Sequence, residues 1–166
     1  MKTLYLLRHA KSSWEDRTVS DFERPLNERG KANAPIVGKL MAEIGLEPYV
    51  ILSSPALRAR ATAELVKRSG NFDAEIRFED RIYEASPQTL QQVISELNDA
   101  YVSALLVGHN PGIEGFIRLL TGEEESMPTA ALANIELHID NWDLIGSGRG
   151  ELQKVYRPKD SSRQIV

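Results

Sequence analysis

The sequence contains no cysteine. Disulfides, thiolate nucleophiles and cysteine-ligated zinc or iron–sulfur centres are therefore excluded. Histidine is scarce as well: there are three, and no His-Glu-x-x-His spacing exists, which leaves little to build a metal site from. No lysine/arginine run is long enough to track a phosphodiester backbone and the formal net charge is −4, so nucleic-acid binding is set aside as a primary function. No glycine run closes with Gly-Lys-Ser/Thr, which excludes a P-loop. No apolar run approaches a membrane span. The opening MKTLYLLRHA stops being apolar at Arg8-His9, too early for a signal-peptide core, and is expected to be a strand. A reduced, cytoplasmic location is the corresponding expectation.

What is present describes an ordinary globular chain: 166 residues, 42% hydrophobic and 27% charged. One domain over residues 1–158 is expected, with a polar tail over 159–166 that frays. Residues 3–7 read as a buried strand. A long polar loop follows, and a helix over 27–44 with Asn27 as its cap, Pro35 as a blemish and Gly45 as its stop. Strands are expected at 49–53, 74–78 and 103–107. The first is followed by a helix opened by Ser54-Pro55, and the second by one opened by Ser86-Pro87. Residues 108–112, Gly-His-Asn-Pro-Gly, lead into another helix, and the acidic stretch 122–128 reads as a solvated connection. Alternation at 133–139 and 151–156 marks two strands with one covered face, joined through Trp142 and a glycine-rich turn. Together these elements predict an α/β fold: a helix–sheet–helix sandwich, mostly parallel, with antiparallel pairing near the end.

In such a sheet, ligands bind beyond the carboxyl ends of the strands. Arg8-His9, Ser54-Pro55 with Arg58, Tyr83-Glu84 and Gly108-His109 all fall there. Arg8-His9 reads either as the polar end of a strand or as a site in which Arg8 grips a phosphoryl group and neutral His9 attacks phosphorus. An arginine in the first turn of a helix is unusual on dipole grounds: either Arg58 points into solvent, or an anion beside it explains it. His109 is a helix-capping or satisfied buried residue, or else a ligand for charge on transferring oxygens. Glu84 either precedes the Ser86 cap or protonates a leaving group and later activates water. Lys11, Ser12 and Ser13 either offer donors to an anion or are ordinary residues of the polar loop. Asp21, Glu23 and Arg24 either shape an entrance or belong to that loop without a role in the site. Arg60, Thr62 and His138 read as surface, packing and surface residues.

Three segments in order carry a resemblance. They are Leu7-Arg8-His9-Ala10, residues 53–63 (SSPALRARATA) and Val107-Gly108-His109-Asn110-Pro111. Together they resemble the histidine phosphatase superfamily, also called phosphoglycerate mutase-like. Residues 8–12 and 21–30 (DFERPLNERG) are similar to its small phosphohistidine phosphatase, SixA-like branch. The resemblance implies His9 as the phosphorylated nucleophile, with Arg8, Arg58 and His109 completing the phosphate pocket and no metal or other cofactor required. Ala10 stands where many members have glycine. The implied partner is a phosphohistidine protein or a phosphorylated small molecule. A phosphatase of small-molecule esters or other phosphoproteins, and a non-catalytic phosphate-binding module, are the alternatives.

Overall fold

The computed structural model describes residues 1–158, so the tail at 159–166 lies outside the described residues. Strand β1 (Lys2–Arg8) is buried on both faces: Leu4 and Leu6 point one way, Tyr5 and Leu7 the other. Period-two alternation with apolar groups on both sides demands a layer of helices over each face. Helices α1 (Glu28–Glu43) and α2 (Leu57–Gly70) cover the side of Tyr5 and Leu7. Helices α3 (Pro87–Ser95) and α4 (Gly112–Thr121) cover the side of Leu4 and Leu6, with Phe116 and Trp142 fully buried beneath them.

The remaining strands are β2 (Ile51–Ser53), β3 (Ile76–Phe78), β4 (Ser103–Gly108), β5 (Leu132–Leu137) and β6 (Gly150–Tyr156), in the sheet order β3-β2-β4-β1-β5-β6. The first four of that order run parallel. Strand β5 is antiparallel to β1, and β6 to β5, with a register shift at Asn134/Ile135. The helix–sheet–helix sandwich with terminal antiparallel pairing is thus observed. No helix among the described residues is long and apolar enough to cross a membrane.

Several local expectations need correction. Pro35 lies inside α1, and the helix runs on through it. The Ser54-Pro55 pair does not cap α2, because the cap position is Ala56 and carries no side-chain bond. Ser54 is turned inward instead, with its Oγ accepting from the Ala56 amide at 3.2 Å. The acidic connection is not simply solvated either: Met127 is fully buried, and its amide donates to Glu114 at 2.7 Å. Asn27 and Ser86 do cap their helices, accepting from Gly30 and Thr89.

Gly30, in the first turn of α1, has a specific reason to be glycine. A Cβ there would overlap the carbonyl oxygen of Lys11, so the helix start lies directly against the loop leaving β1. Gly146 has open space around its Cβ position. In denaturant unfolding, Gly30→Ala is expected to cost about 1–3 kcal/mol by overpacking, and Gly146→Ala about 0.5 kcal/mol or less. Equal effects would mean that the α1–loop contact is not tight.

Candidate active site

Strands β1 and β4 are parallel neighbours in register, with Arg8 opposite Gly108. The ladder extends one residue further, where the His9 amide donates to the Gly108 carbonyl at 3.0 Å. His9 and His109 therefore leave the sheet side by side, ring centroids 5.0 Å apart. Strand β2 pairs with β4 on its other side and delivers Ser54, whose Oγ lies 2.8 Å from His109 Nε2. A cavity of about 210 Å³ opens at this edge, lined by Arg8, His9, Lys11, Ser12, Trp14, Arg24, Arg58, His109, Asn110 and Thr129.

The His9 ring is set by its own backbone neighbour. Its Nδ1 lies 2.7 Å from the Ala10 carbonyl, which only accepts, so Nδ1 carries the hydrogen and Nε2 keeps its lone pair. Burial pushes the His9 pKa down to about 3, helped by His109, Arg58 and Arg8 and opposed by the Ala10 bond. His109 is pushed down to about 4, first by burial and then by Arg58, with Asp21 opposing. Both rings are neutral at pH 7. A neutral, oriented imidazole is what nucleophilic attack requires.

The arginines are held by their ends. Arg8 Nη1 donates to the Met127 carbonyl at 3.1 Å. Arg58 donates to the Asp21 carbonyl at 2.6 Å and to its carboxylate at 3.0 Å. The Nε of both, together with His109 Nδ1, are buried and have no protein partner among the described residues. Three unpaired buried polar atoms on residues of one cavity, two of them N–H donors, fit an anion that supplies the missing acceptors.

Asp21 is the hub behind this wall. Besides Arg58 it accepts from Arg24 at 3.2 Å and from the Tyr83 hydroxyl at 2.6 Å. These bonds, Tyr83's first and then those of Arg58 and Arg24, hold its pKa down to about 2, and Tyr83 is raised to about 12. Arg24 also donates to Ser12 Oγ at 2.6 Å and stacks 3.5 Å from the exposed Trp14 ring. Thr62 does more than pack: its hydroxyl accepts from the Ala10 amide at 3.0 Å and donates to the Arg58 carbonyl at 2.8 Å.

The structure thus gathers Arg8, His9, Lys11, Ser12, Arg24, Arg58 and His109 around one cavity, and leaves Glu84 outside it. Glu84 is exposed, in left-handed backbone with φ 55°, on a larger groove of about 730 Å³ that shares Arg58, His109 and Asn110 with the cavity. Arg60 and His138 are exposed. Among the described residues, no group of three His, Asp or Glu side chains is placed to hold a metal ion. Sequence reasoning missed the tie from Asp21 to Tyr83, the Thr62 link and the inward turn of Ser54.

This geometry pairs two histidines with arginines around one cavity at the end of a parallel sheet. The family model "Histidine phosphatase superfamily (branch 1)" matches residues 4–107, and the chain belongs to that superfamily. Within it the chain falls in the SixA-like branch. A crystal structure of SixA from Agrobacterium tumefaciens, a candidate phosphohistidine phosphatase, is 33% identical with a TM-score of 0.81, covering 95% of this chain and 98% of that one. A tungstate complex of the protein histidine phosphatase SixA shares the fold at 22% identity and a TM-score of 0.79, covering 92% of this chain and 95% of that one. An uncharacterized chloroplastic protein of Arabidopsis thaliana is 31% identical over 96% of this chain and 79% of its own length.

The histidine shifts set a pH dependence. Both rings bind protons more weakly folded than unfolded, so their contribution to stability is full above the ordinary value of 6.5 and is lost as pH falls toward about 3 to 4. The unfolding temperature is expected to fall between pH 6.5 and 4, and a His9→Gln/His109→Gln double variant to fall less. An identical slope in the double variant would assign the acid sensitivity elsewhere.

Proposed function

We propose that this chain is a phosphohistidine phosphatase that works through a covalent phosphohistidine on His9. The observation that carries the substrate class is the lining of the cavity: four cations, two neutral histidines and no carboxylic acid among the described lining residues. An alkoxide leaving group needs a proton from a nearby acid. An imidazole leaving group does not. With its remote nitrogen protonated, it takes the P–N electron pair and departs as neutral imidazole.

In the first step the His9 Nε2 lone pair forms an N–P bond as the substrate's P–N bond breaks in line. Arg8, Arg58 and His109 hold the equatorial oxygens in this reading, so catalysis is mainly positioning and electrostatics. In the second step water forms an O–P bond, the His9 N–P bond breaks, and the lone pair returns to Nε2 as phosphate leaves. Lys11, Ser12 and Arg24 flank the approach, with Arg24 positioned by Asp21 and Ser12.

A second reading is favoured by the adjoining groove. Glu84 lines that groove together with Arg58 and His109, so the alcohol part of a phosphate ester held by those two residues would extend toward it. We assign Glu84 the role of proton donor and water activator for such esters only. Turnover is to be measured on a phosphohistidine peptide and on a panel of small phosphate esters. Expected are hydrolysis of the peptide, complete loss in His9→Ala and a ~10²–10³-fold lower kcat in Arg58→Ala. Glu84→Gln is expected to leave peptide hydrolysis intact and to lower any ester hydrolysis. Phosphate trapped on the enzyme should be acid-labile and base-stable. Full activity in His9→Ala would refute the covalent mechanism, and exclusive ester turnover would refute the substrate class.

A further inference from the structure

The two histidines of the cavity meet the protein through opposite ring nitrogens: His9 through Nδ1 to a carbonyl, His109 through Nε2 to a hydroxyl. A carbonyl only accepts, so the His9 tautomer is settled. A hydroxyl both donates and accepts, so the tautomer of His109 depends on where the Ser54 hydrogen goes.

Ser54 is fully buried. One lone pair of its Oγ takes the Ala56 N–H at 3.2 Å, and the Ser53 hydroxyl is turned away to the Ser54 carbonyl at 2.9 Å. Among the described residues the one remaining partner of Ser54 Oγ is His109 Nε2 at 2.8 Å. If Nε2 carried the hydrogen, the Ser54 hydroxyl hydrogen would be buried without an acceptor. His109 Nδ1 would then be a bare buried lone pair, turned against any anion the cavity takes. If the hydroxyl donates, both of those faults vanish. The one group left unpaired is then Nδ1–H, which a phosphoryl oxygen satisfies.

We propose that Ser54 is a positioning residue whose hydroxyl donates to His109 Nε2 and holds His109 as the Nδ1–H tautomer, a donor to the phosphoryl group. The proposal rests on the reading of this cavity as a phosphoryl site. It gives the adjacent rings complementary tasks: His9 is protonated at Nδ1 and offers a lone pair to phosphorus, and His109 offers a hydrogen to an oxygen on phosphorus. It also accounts for the failure of Ser54 to cap α2. Its oxygen is occupied by Ala56 and its hydrogen by the second histidine.

Nitrogen-15 histidine labelling of the full chain, read by long-range proton–nitrogen correlation at pH 7, tests this directly, with His109→Gln supplying the assignment. Expected in the wild type is a His109 ring with bare Nε2 and protonated Nδ1. In Ser54→Ala that pattern shifts toward the Nε2–H form, and kcat on a phosphohistidine peptide falls ~10- to ~100-fold with KM changed less. Ser54→Thr returns the hydroxyl and with it the wild-type pattern. A wild-type His109 protonated at Nε2, or a pattern unmoved in Ser54→Ala, overturns the proposal. The ring pattern is read without substrate, so it decides the role of Ser54 even if the wild type hydrolyses nothing, an outcome that would refute the phosphatase reading instead.

Discussion

One backbone hydrogen bond, from the His9 amide to the Gly108 carbonyl, organises the site. It carries the β1–β4 ladder one step past the last regular pair, so the two histidines emerge together at adjacent strand ends. The rest follows from what neighbouring rings need around them. Helix α2 enters against the same edge and brings Arg58. The loop after β1 brings Lys11 and Ser12, pressed into place by the start of α1 at Gly30. Phosphoryl transfer asks little covalent chemistry of a protein and much positioning. A central parallel pair of strands, buried on both faces, is among the stiffest places a fold offers for it.

Electrostatics divides labour between the wall of the cavity and what stands behind it. The wall is cationic although the chain carries a net charge of −4. Asp21 sits behind the wall, where it neutralises part of the arginine charge and orients both Arg24 and Arg58. A half-exposed carboxylate in that place keeps two like charges close together in the absence of substrate. The histidines are kept neutral by burial among those cations, so attraction for an anion comes from the guanidinium groups and nucleophilicity from imidazole.

The layers and the site differed in how far the sequence revealed them. The strand–helix alternation, the caps at Asn27 and Ser86 and the strand-end placement of His9 and His109 were legible, because period, capping chemistry and chain direction are local properties. Arg58 was legible through a local anomaly, a cation at a helix start, and the structure supplies an anion for it in Asp21. The hub role of Asp21 was not legible, since its partners Arg58 and Tyr83 are 37 and 62 residues away. Ser54 misled for a related reason. A serine before proline carries a strong local signal for capping, and a tertiary partner, His109, outbid it. Thr62, one turn beyond Arg58, read as packing; it is indeed fully buried, but one of its hydrogen bonds reaches 52 residues back to Ala10, which no local pattern reveals.

The chain has two tryptophans, and the fold has sent them to opposite environments. Trp142 is fully enclosed with its indole N–H on the Tyr101 carbonyl, and Trp14 is 70% exposed at the rim of the cavity with Arg24 against its ring. The protein therefore carries its own pair of optical probes. Emission from the enclosed indole follows the integrity of the core. Emission from the rim indole is open to collisional quenchers and to whatever docks beside His9, so one spectrum separates unfolding from occupancy.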